Sequence, residues 1–380
     1  MTAPLPREAL ALWLAARLLD ALPAELVALR AAVGRVLAEP VVSLRDSPPC
    51  AVAAMDGIAV CASDSVRLRL GIKDFEVVDT GDPLPPGRDA VVVREQVTRD
   101  GPDAVLEHPV VRGRHVRPRG EDLTTGDLLL AAGTFLRPLD VAVAGAGGHT
   151  HLLVRRRPRV VVIPTGDEIR PLGSSTTAGE VLDTNSLMLV AQAVAAGASA
   201  VAVDVVRDDP AALTRAVRSA VLTADLVVVG AGSSAGRDDH TAAVVAALGT
   251  VVVHGVAVRP GHPVLLGVVA GVPVLGSPGY PVSAWLTFEL LAVPLLAALL
   301  GTAVPGRTRV MASVAVDIES PVELDDWVRV TLVDGQAAPL SGGAASLAHL
   351  AAADGLLLVP AGVTGHRAGD PVEVVLLRQP

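Results

Sequence analysis

Asp225–Thr241 reads DLVVVGAGSSAGRDDHT, an apolar run that stops at small residues and ends in two adjacent aspartates. Leu226–Val229 is continuous and β-branched rather than alternating, the texture of a strand buried on both faces of a parallel sheet. Gly230, Gly232 and Gly236 let the backbone turn sharply and approach a ligand closely, with Ser233 and Ser234 between them. From Thr241 the sequence TAAVVAALG has helix-forming composition and stops at Gly249, a suitable C-terminal cap. Strand, Gly/Ser turn and helix in succession present free N–H groups to an anion. Asp238 and Asp239 add carboxylates at the same rim, which suits a metal-bridged phosphate better than a bare one. A Gly-rich turn is also a common means of chain reversal, so its weight depends on what accompanies it.

The composition narrows the company. A chain of 380 residues is long enough for about two to four domains with large cores. Its net charge is −9, and apart from RRRPR at Arg155–Arg159 it has no dense basic run, which argues against nucleic-acid binding through phosphates. Aromatic residues make up only 2%, which disfavours a base-stacking surface of the single-strand-binding kind. Cys50 and Cys61 are too few for a disulfide scaffold or a Cys-rich metal site and fit a reducing cytoplasm. No signal-peptide pattern opens the chain, and the most membrane-like stretch, Ala284–Leu300, is interrupted by Glu289 and Pro294. A cytoplasmic protein without a membrane span is expected.

Along the chain, Arg7–Leu19 and Ala24–Ala38 carry apolar residues at helical spacing. From Val41 to about Gly133 short β-type runs alternate with Pro and Gly, as in GIAV at Gly57–Val60, and predict an all-β module. Pro138–Gly148 reads as a helix. Residues 159–300 then alternate strands such as RVVVIP, SAVAVDVV, DLVVV and TVVVHGVAV with helices over Ser186–Ala196, Ala211–Leu222 and from about Ser283. That rhythm predicts βαβ units and a parallel sheet with helices on both faces. After Pro305 the β texture returns.

In such a sheet the ligand crevice lies beyond the carboxyl ends of the strands. Three predicted strand ends carry acids: Thr165-Gly166-Asp167-Glu168 after RVVVIP, Arg207-Asp208-Asp209-Pro210 after AVAVDVV, and Asp238-Asp239. Helix capping explains any one of them; three together favour a divalent cation holding a phosphorylated ligand. Arg259-Pro260-Gly261-His262-Pro263 and Gly276-Ser277-Pro278-Gly279-Tyr280-Pro281-Val282-Ser283 add turns whose N–H groups and cations suit an oxyanion. His149 and His151 share one strand face but lack a third ligand, so a zinc site is set aside. Neither a nucleophile elbow nor a Walker-type Lys loop occurs.

Several segments, in order along nearly the whole chain, resemble the molybdopterin molybdenumtransferases, which insert molybdate into adenylylated molybdopterin. They include AMDGIAV (Ala54–Val60), TGDPLPPGRDAVV (Thr80–Val92), VRPRGEDLTTGDLLLAAGT (Val116–Thr134), IPTGDEI (Ile163–Ile169), GEVLDTNSLML (Gly179–Leu189), GSSAGRDDHT (Gly232–Thr241), RPGHP, SPGYPVSA and ASLAHLAAADGLLLVPAG (Ala345–Gly362). The resemblance implies a multidomain α/β plus β fold. Residues 1–47 and 140–158 form a helical and extended base, and 48–139 an inserted β module. Residues 159–305 form a three-layer α/β/α molybdopterin-binding domain, and 306–380 a C-terminal β-barrel-like domain. It further implies a homodimer whose active cleft is shared between subunits, and a molybdopterin adenylyltransferase acting upstream. By motif it assigns Asp56, Asp122, Arg259, His262 and Arg329 to catalysis, and Glu168, Asp208 and Asp239 to Mg²⁺. Thr165, Gly166, Asp167, Gly232, Ser233, Ser234, Gly236, Pro278, Gly279, Pro281 and Ser283 fall to the pterin nucleotide. The implied reaction is Mg²⁺-dependent insertion of molybdate with release of AMP.

The sequence departs from the family where Cys50-Ala51-Val52-Ala53 is apolar, where His262 replaces a lysine, where Tyr280 interrupts the Gly-Asn-Pro turn, and where Ala344 replaces a serine. These losses of polar donors support a second expectation, a paralogue that binds or carries the pterin or finished cofactor without efficient insertion. A third, an adenylyltransferase-like use of the α/β domain alone, leaves the two β-rich parts of the chain without a role.

Overall fold

The unbroken burial of β1 (Arg159–Pro164) after its first residue fixes the layering of the α/β region. Val160 and Val162 enter one hydrophobic cluster, Val161 and Ile163 another, so the strand is covered on both faces. The computed structural model describes residues 3–16, 21–230, 240–304 and 306–378; Gly232, Ser233, Ser234, Gly236 and Asp239 lie outside them. After β1 come α1 (Thr184–Ala195), β2 (Ser199–Ala202), α2 (Pro210–Ala220), β3 (Leu226–Gly230) and α3 (His240–Leu248). They are followed by β4 (Gly249–His254), β5 (Leu265–Val269), β6 (Val272–Ser277) and α4 (Pro281–Thr287). The six strands form one sheet in the order β2-β1-β3-β6-β5-β4.

Helix α1 packs Leu189 and Ala193 on one face, while α2 and α3 pack Leu213, Val217, Val244 and Val245 on the other. The result is a three-layer α/β/α sandwich. β2, β1, β3 and β6 are parallel, but β4-β5-β6 run antiparallel, so the sheet is mixed and not wholly parallel as the sequence rhythm suggests. The reason is the connections: Ala270-Gly271 alone joins β5 to β6, and residues 255–264 join β4 to β5 without a helix, whereas a parallel step needs a crossover of a dozen or more residues, usually helical. β5 itself escapes the sequence reading, its five residues LLGVV forming a short apolar run between turns.

Pro281–Leu300 is the single stretch among the described residues long and apolar enough to cross a membrane. Its Leu286, Phe288, Leu291, Leu295, Leu296 and Leu299 instead fill the core below the sheet. A π-turn at Phe288–Ala292 precedes Pro294, which has no N–H to give and whose ring crowds the preceding turn. The N-terminal helix Pro6–Ala15 joins the same core through Ala9 and Trp13, whose indole N–H donates to Gly267 O at 2.8 Å.

The C-terminal part closes on itself. β7 (Arg309–Val314), β8 (Asp325–Val333), β9 (Gln336–Pro339), β10 (Gly355–Val359) and β11 (Pro371–Leu376) follow the order β8-β9-β7-β11-β10, and β10 pairs back onto β8. This is a closed five-strand barrel filled by Val314, Val330, Leu357, Val359, Val372 and Val374. A short helix, α5 (Leu347–Ala352), lies between β9 and β10.

The chain divides into two units, Met1–Pro23 with Arg155–Pro380 and Ala24–Val154. The second unit is β-rich, with three-stranded sheets built on Gly57–Val60 and on Asp103–Leu106. Its one long helix, Pro138–Ala146, matches the sequence reading. Ala24–Ala38 does not form the expected helix. Ala24–Ala28 is a strand paired with His151–Arg155, followed by a single 3₁₀ turn at Leu29–Ala31. Gly34, at φ +74°, lies in a conformation that stops a helix, and Ala32 and Leu37 are recruited into a cluster with Leu136, Leu152 and Val154.

Two constraints hold these elements. Asp225, at the start of β3, takes a two-pronged bond from Arg156 (2.9 Å to each oxygen) and the backbone N–H of Arg159 at 2.7 Å, fastening β3 to β1. Burial pushes its carboxyl pKa up, but the Arg156 and Arg159 bonds outweigh that and hold it below the usual carboxylate value. A depressed pKa means that the contribution is complete above pH ~4 and fades as pH falls through the folded value. Asp225→Asn is therefore expected to cost about 1–3 kcal/mol at neutral pH, with the gap to the parent narrowing in acid; urea melts from pH 7 to 3 measure it. Gly57 sits between two paired strands where a Cβ would lie 2.0 Å from Val92 O. Gly57→Ala should destabilise the β-rich unit by roughly 3 kcal/mol or more, read as a lowered melting transition; an unchanged melt would contradict this packing.

Candidate functional site

The register of the parallel strands sets Pro164, Gly230 and Ser277 side by side, so β1, β3 and β6 end at one level. The crossover through α1 carries the chain to one side of β1, and that through α2 returns it to the other, which makes the β1/β3 end the switch point of the sheet. A cleft of about 870 Å³ opens there. Thr165, Glu168, Pro278, Gly279, Pro281 and Ser283 line it, six residues that the sequence assigns to the site.

Each is held by local structure. Thr165 is buried and donates its hydroxyl to Gly230 O at 2.9 Å, tying two strand ends together. Gly166 adopts φ +144°, and a Cβ there would fall 2.7–2.9 Å from Ile169 and the Glu168 carboxylate, so the turn that presents Glu168 requires glycine. Ile169–Arg170 pairs with Val181–Leu182, and Arg170 bonds Glu180 at 2.8 Å. This small ladder leads into Asp183, Asn185 and Ser186, which line the same cleft as Glu168. Sequence reasoning did not select these three, although Asp-Thr-Asn-Ser ahead of an amphipathic run is a helix-start signal. Asp183 caps α1 by accepting from Ser186 N at 3.0 Å, and Asn185 Nδ2 donates to Gly279 O at 2.8 Å.

Asp208 lines a small hollow that shares Thr165 with the cleft, and the Asp167 N–H reaches Asp208 Oδ2 at 3.3 Å. Asp209 is the N-cap of α2. Both Asp208 and Glu168 are exposed. Among the described residues no group of three His, Cys, Asp or Glu side chains could hold a metal ion. Two carboxylates remain, hard oxygen donors of the kind Mg²⁺ uses when substrate phosphates and water complete its shell.

A second hollow, of about 600 Å³, lies between the sheet region and the barrel and shares Pro263 and Ser283 with the first. Arg259, His262 and Arg329 all line it. Arg259 forms a two-pronged pair with the buried Asp326, which raises the guanidinium pKa and cancels much of its charge. His262 Nδ1 lies 2.7 Å from Val256 O; a carbonyl only accepts, so Nδ1 carries the proton and donates it, which leaves Nε2 as the ring nitrogen not engaged by Val256. On β8, Val328, Val330 and Leu332 face the barrel interior, so Arg329 projects outward. Arg329 donates to the carbonyls of Gly342 and Ser346 and has no carboxylate partner among the described residues. Burial holds its pKa below the usual value without discharging it.

Asp56 and Asp122 belong to the other unit. Asp56 accepts from both the N–H and the hydroxyl of Thr80 at 2.7 Å, bonds that lower its pKa. Asp122 is exposed, its N–H donating to Ser47 O at 2.9 Å.

Comparison with known proteins identifies the parts of the chain. Residues 6–148 match the MoeA N-terminal region (domain I and II), 161–298 the "Probable molybdopterin binding domain", and 311–377 the MoeA C-terminal region (domain IV). Molybdopterin molybdenumtransferase 2 of Mycobacterium tuberculosis is 32% identical over 92% of this chain and 94% of its own. The molybdopterin molybdenumtransferase of a Nostoc species is 29% identical over 93% and 88%. The crystal structure of the molybdopterin biosynthesis MoeA protein of Pyrococcus horikoshii superposes with a TM-score of 0.86 at 31% identity, covering all of both chains. The fold, the motifs and the length matched agree, and this chain belongs to the molybdopterin molybdenumtransferase family, a family of transferases of molybdenum cofactor biosynthesis.

Proposed function

We propose that this protein inserts molybdate into adenylylated molybdopterin and releases AMP. The observation that carries the reading is the strand-end cleft, in which Thr165, Glu168 and the Pro278–Pro281 turn converge at the switch point of the sheet. Its volume suits a pterin nucleotide, and the adjoining hollow with Arg259, His262 and Arg329 suits an oxyanion such as molybdate. Glu168 and Asp208 would hold Mg²⁺, with Asp239 as a third ligand outside the described residues. Bound there, the ion would neutralise phosphate charge and polarise the anhydride. The chain's own residues do the rest: Thr165 fixes the strand ends, Asn185 fixes the Gly279 carbonyl, and Arg329 offers positive charge from a partly dehydrated position. The reading extends to a cytoplasmic homodimer supplied by a molybdopterin adenylyltransferase.

A second reading, a carrier that binds the pterin without efficient insertion, is favoured by the Arg259–Asp326 pair, which leaves one of the two arginines neutralised.

Purified protein given adenylylated molybdopterin, molybdate and Mg²⁺ is expected to release AMP in step with molybdenum incorporation. Retention of the intact adenylylated pterin would instead establish the carrier. Glu168→Gln should slow AMP release on the order of a hundredfold, and titration calorimetry should show the Mg²⁺ dependence of pterin binding weakened. Asp326→Asn should unmask Arg259, tightening tungstate or molybdate binding roughly fivefold. The same change should lower stability by about 1–3 kcal/mol, because the exposed side of the pair keeps its solvent. Unchanged anion affinity would place Arg259 outside the oxyanion site.

A further inference from the structure

Tyr280 is the single tyrosine of the chain. At 63% exposure it is the most exposed of all the aromatic residues, every one of which is described. It is also the only aromatic among the described residues that line the strand-end cleft. An aromatic ring left to water forgoes the burial that drives folding, and here the backbone beneath it has no freedom to tuck it away. Pro278 and Pro281 bracket the turn. Tyr280 O accepts from Ala284 N at 2.9 Å, which starts α4, and Asn185 holds Gly279 O from the opposite wall. Val282 N donates to Ala344 O at 3.0 Å, anchoring the turn to the loop before α5. The turn is therefore fixed on three sides, and the ring is carried by a rigid support in a cleft that Glu168 and Asp183 also line.

We propose that Tyr280 is a stacking platform for the planar nitrogen heterocycle of the substrate, and so a specificity-determining residue of the cleft. A phenol face offers the area and polarisability that such a ring prefers, and stacking tolerates either of the two heterocycles that an adenylylated pterin contains, adenine or pterin. The inference rests on the pterin-nucleotide reading of the cleft.

Titration calorimetry on the full chain tests it with three probes: AMP, neopterin and adenylylated molybdopterin. The parent is compared with Tyr280→Phe, Tyr280→Leu and Tyr280→Ala, whose melting curves should coincide because the side chain is exposed. Tyr280→Phe should bind within about twofold of the parent, and Tyr280→Ala roughly 5- to 100-fold more weakly. Tyr280→Leu should resemble the alanine variant, since it keeps apolar bulk without a π-face. Loss confined to AMP assigns the ring to adenine, and loss confined to neopterin assigns it to the pterin; either supports the platform. Equal binding by parent and Tyr280→Ala overturns it while the cleft reading stands, as does a Tyr280→Phe variant as weak as alanine. A parent that binds none of the probes overturns the cleft reading and, with it, the platform.

Discussion

The common termination of β1, β3 and β6 is the constraint from which the chemistry follows. Parallel pairing leaves each strand end with backbone groups that the sheet no longer uses, and the aligned register of Pro164, Gly230 and Ser277 gathers three such ends into one edge. The loops that leave this edge have little choice of direction. Thr165 is tied to Gly230, Gly166 turns where a side chain would collide with Glu168, and Pro278 ends the β6 run. Asp225 works at the opposite end of the same strands. By bonding Arg156 and the Arg159 N–H it sets where β1 and β3 begin, and a strand of fixed length that begins in register also ends in register.

Much of this arrangement is legible in the chain. The unbroken β-branched runs RVVVIP and DLVVV announce strands covered on both sides, and acids after them mark the crevice. What escapes has physical causes. Ala24–Ala38 has helical spacing, but Gly34 and the pull of Leu136, Leu152 and Val154 override local preference. The antiparallel hairpins of β4, β5 and β6 depend on connection length, which the alternation of strand and helix patterns conceals. Asp326 is a harder case. Nothing in WVRVTLV indicates that the residue before it will pair with Arg259, 67 residues earlier in the chain, because the contact exists only once the short Val258–Arg259 strand lies parallel to Asp325–Asp326.

That pairing gives the hollow beside the barrel an uneven charge. Arg259 and Arg329 line the same space, yet one is matched by a buried carboxylate and the other, among the described residues, bonds carbonyl oxygens. A guanidinium satisfied by neutral acceptors keeps its full charge while giving up part of its hydration, so its field reaches further into the hollow than that of the paired one. Ala344, on the loop that Arg329 braces, contributes its carbonyl to Val282 rather than a side-chain donor to the hollow. The two cavities thus share a wall in which a backbone bond joins the α4 turn to the loop before α5.

The closure of β8 onto β10 has a consequence for the behaviour of the molecule among its own copies. An open sheet of five short apolar strands would offer an unpaired margin to any neighbouring chain, and such margins template aggregation. A ring has no margin. With Val314, Val330 and Leu357 sealed inside, the outer surface of β8 is free to carry Trp327 and Arg329 toward the hollow without exposing a sticky border. The same hydrogen bonds that complete the barrel therefore keep a valine-rich sequence from recruiting its neighbours.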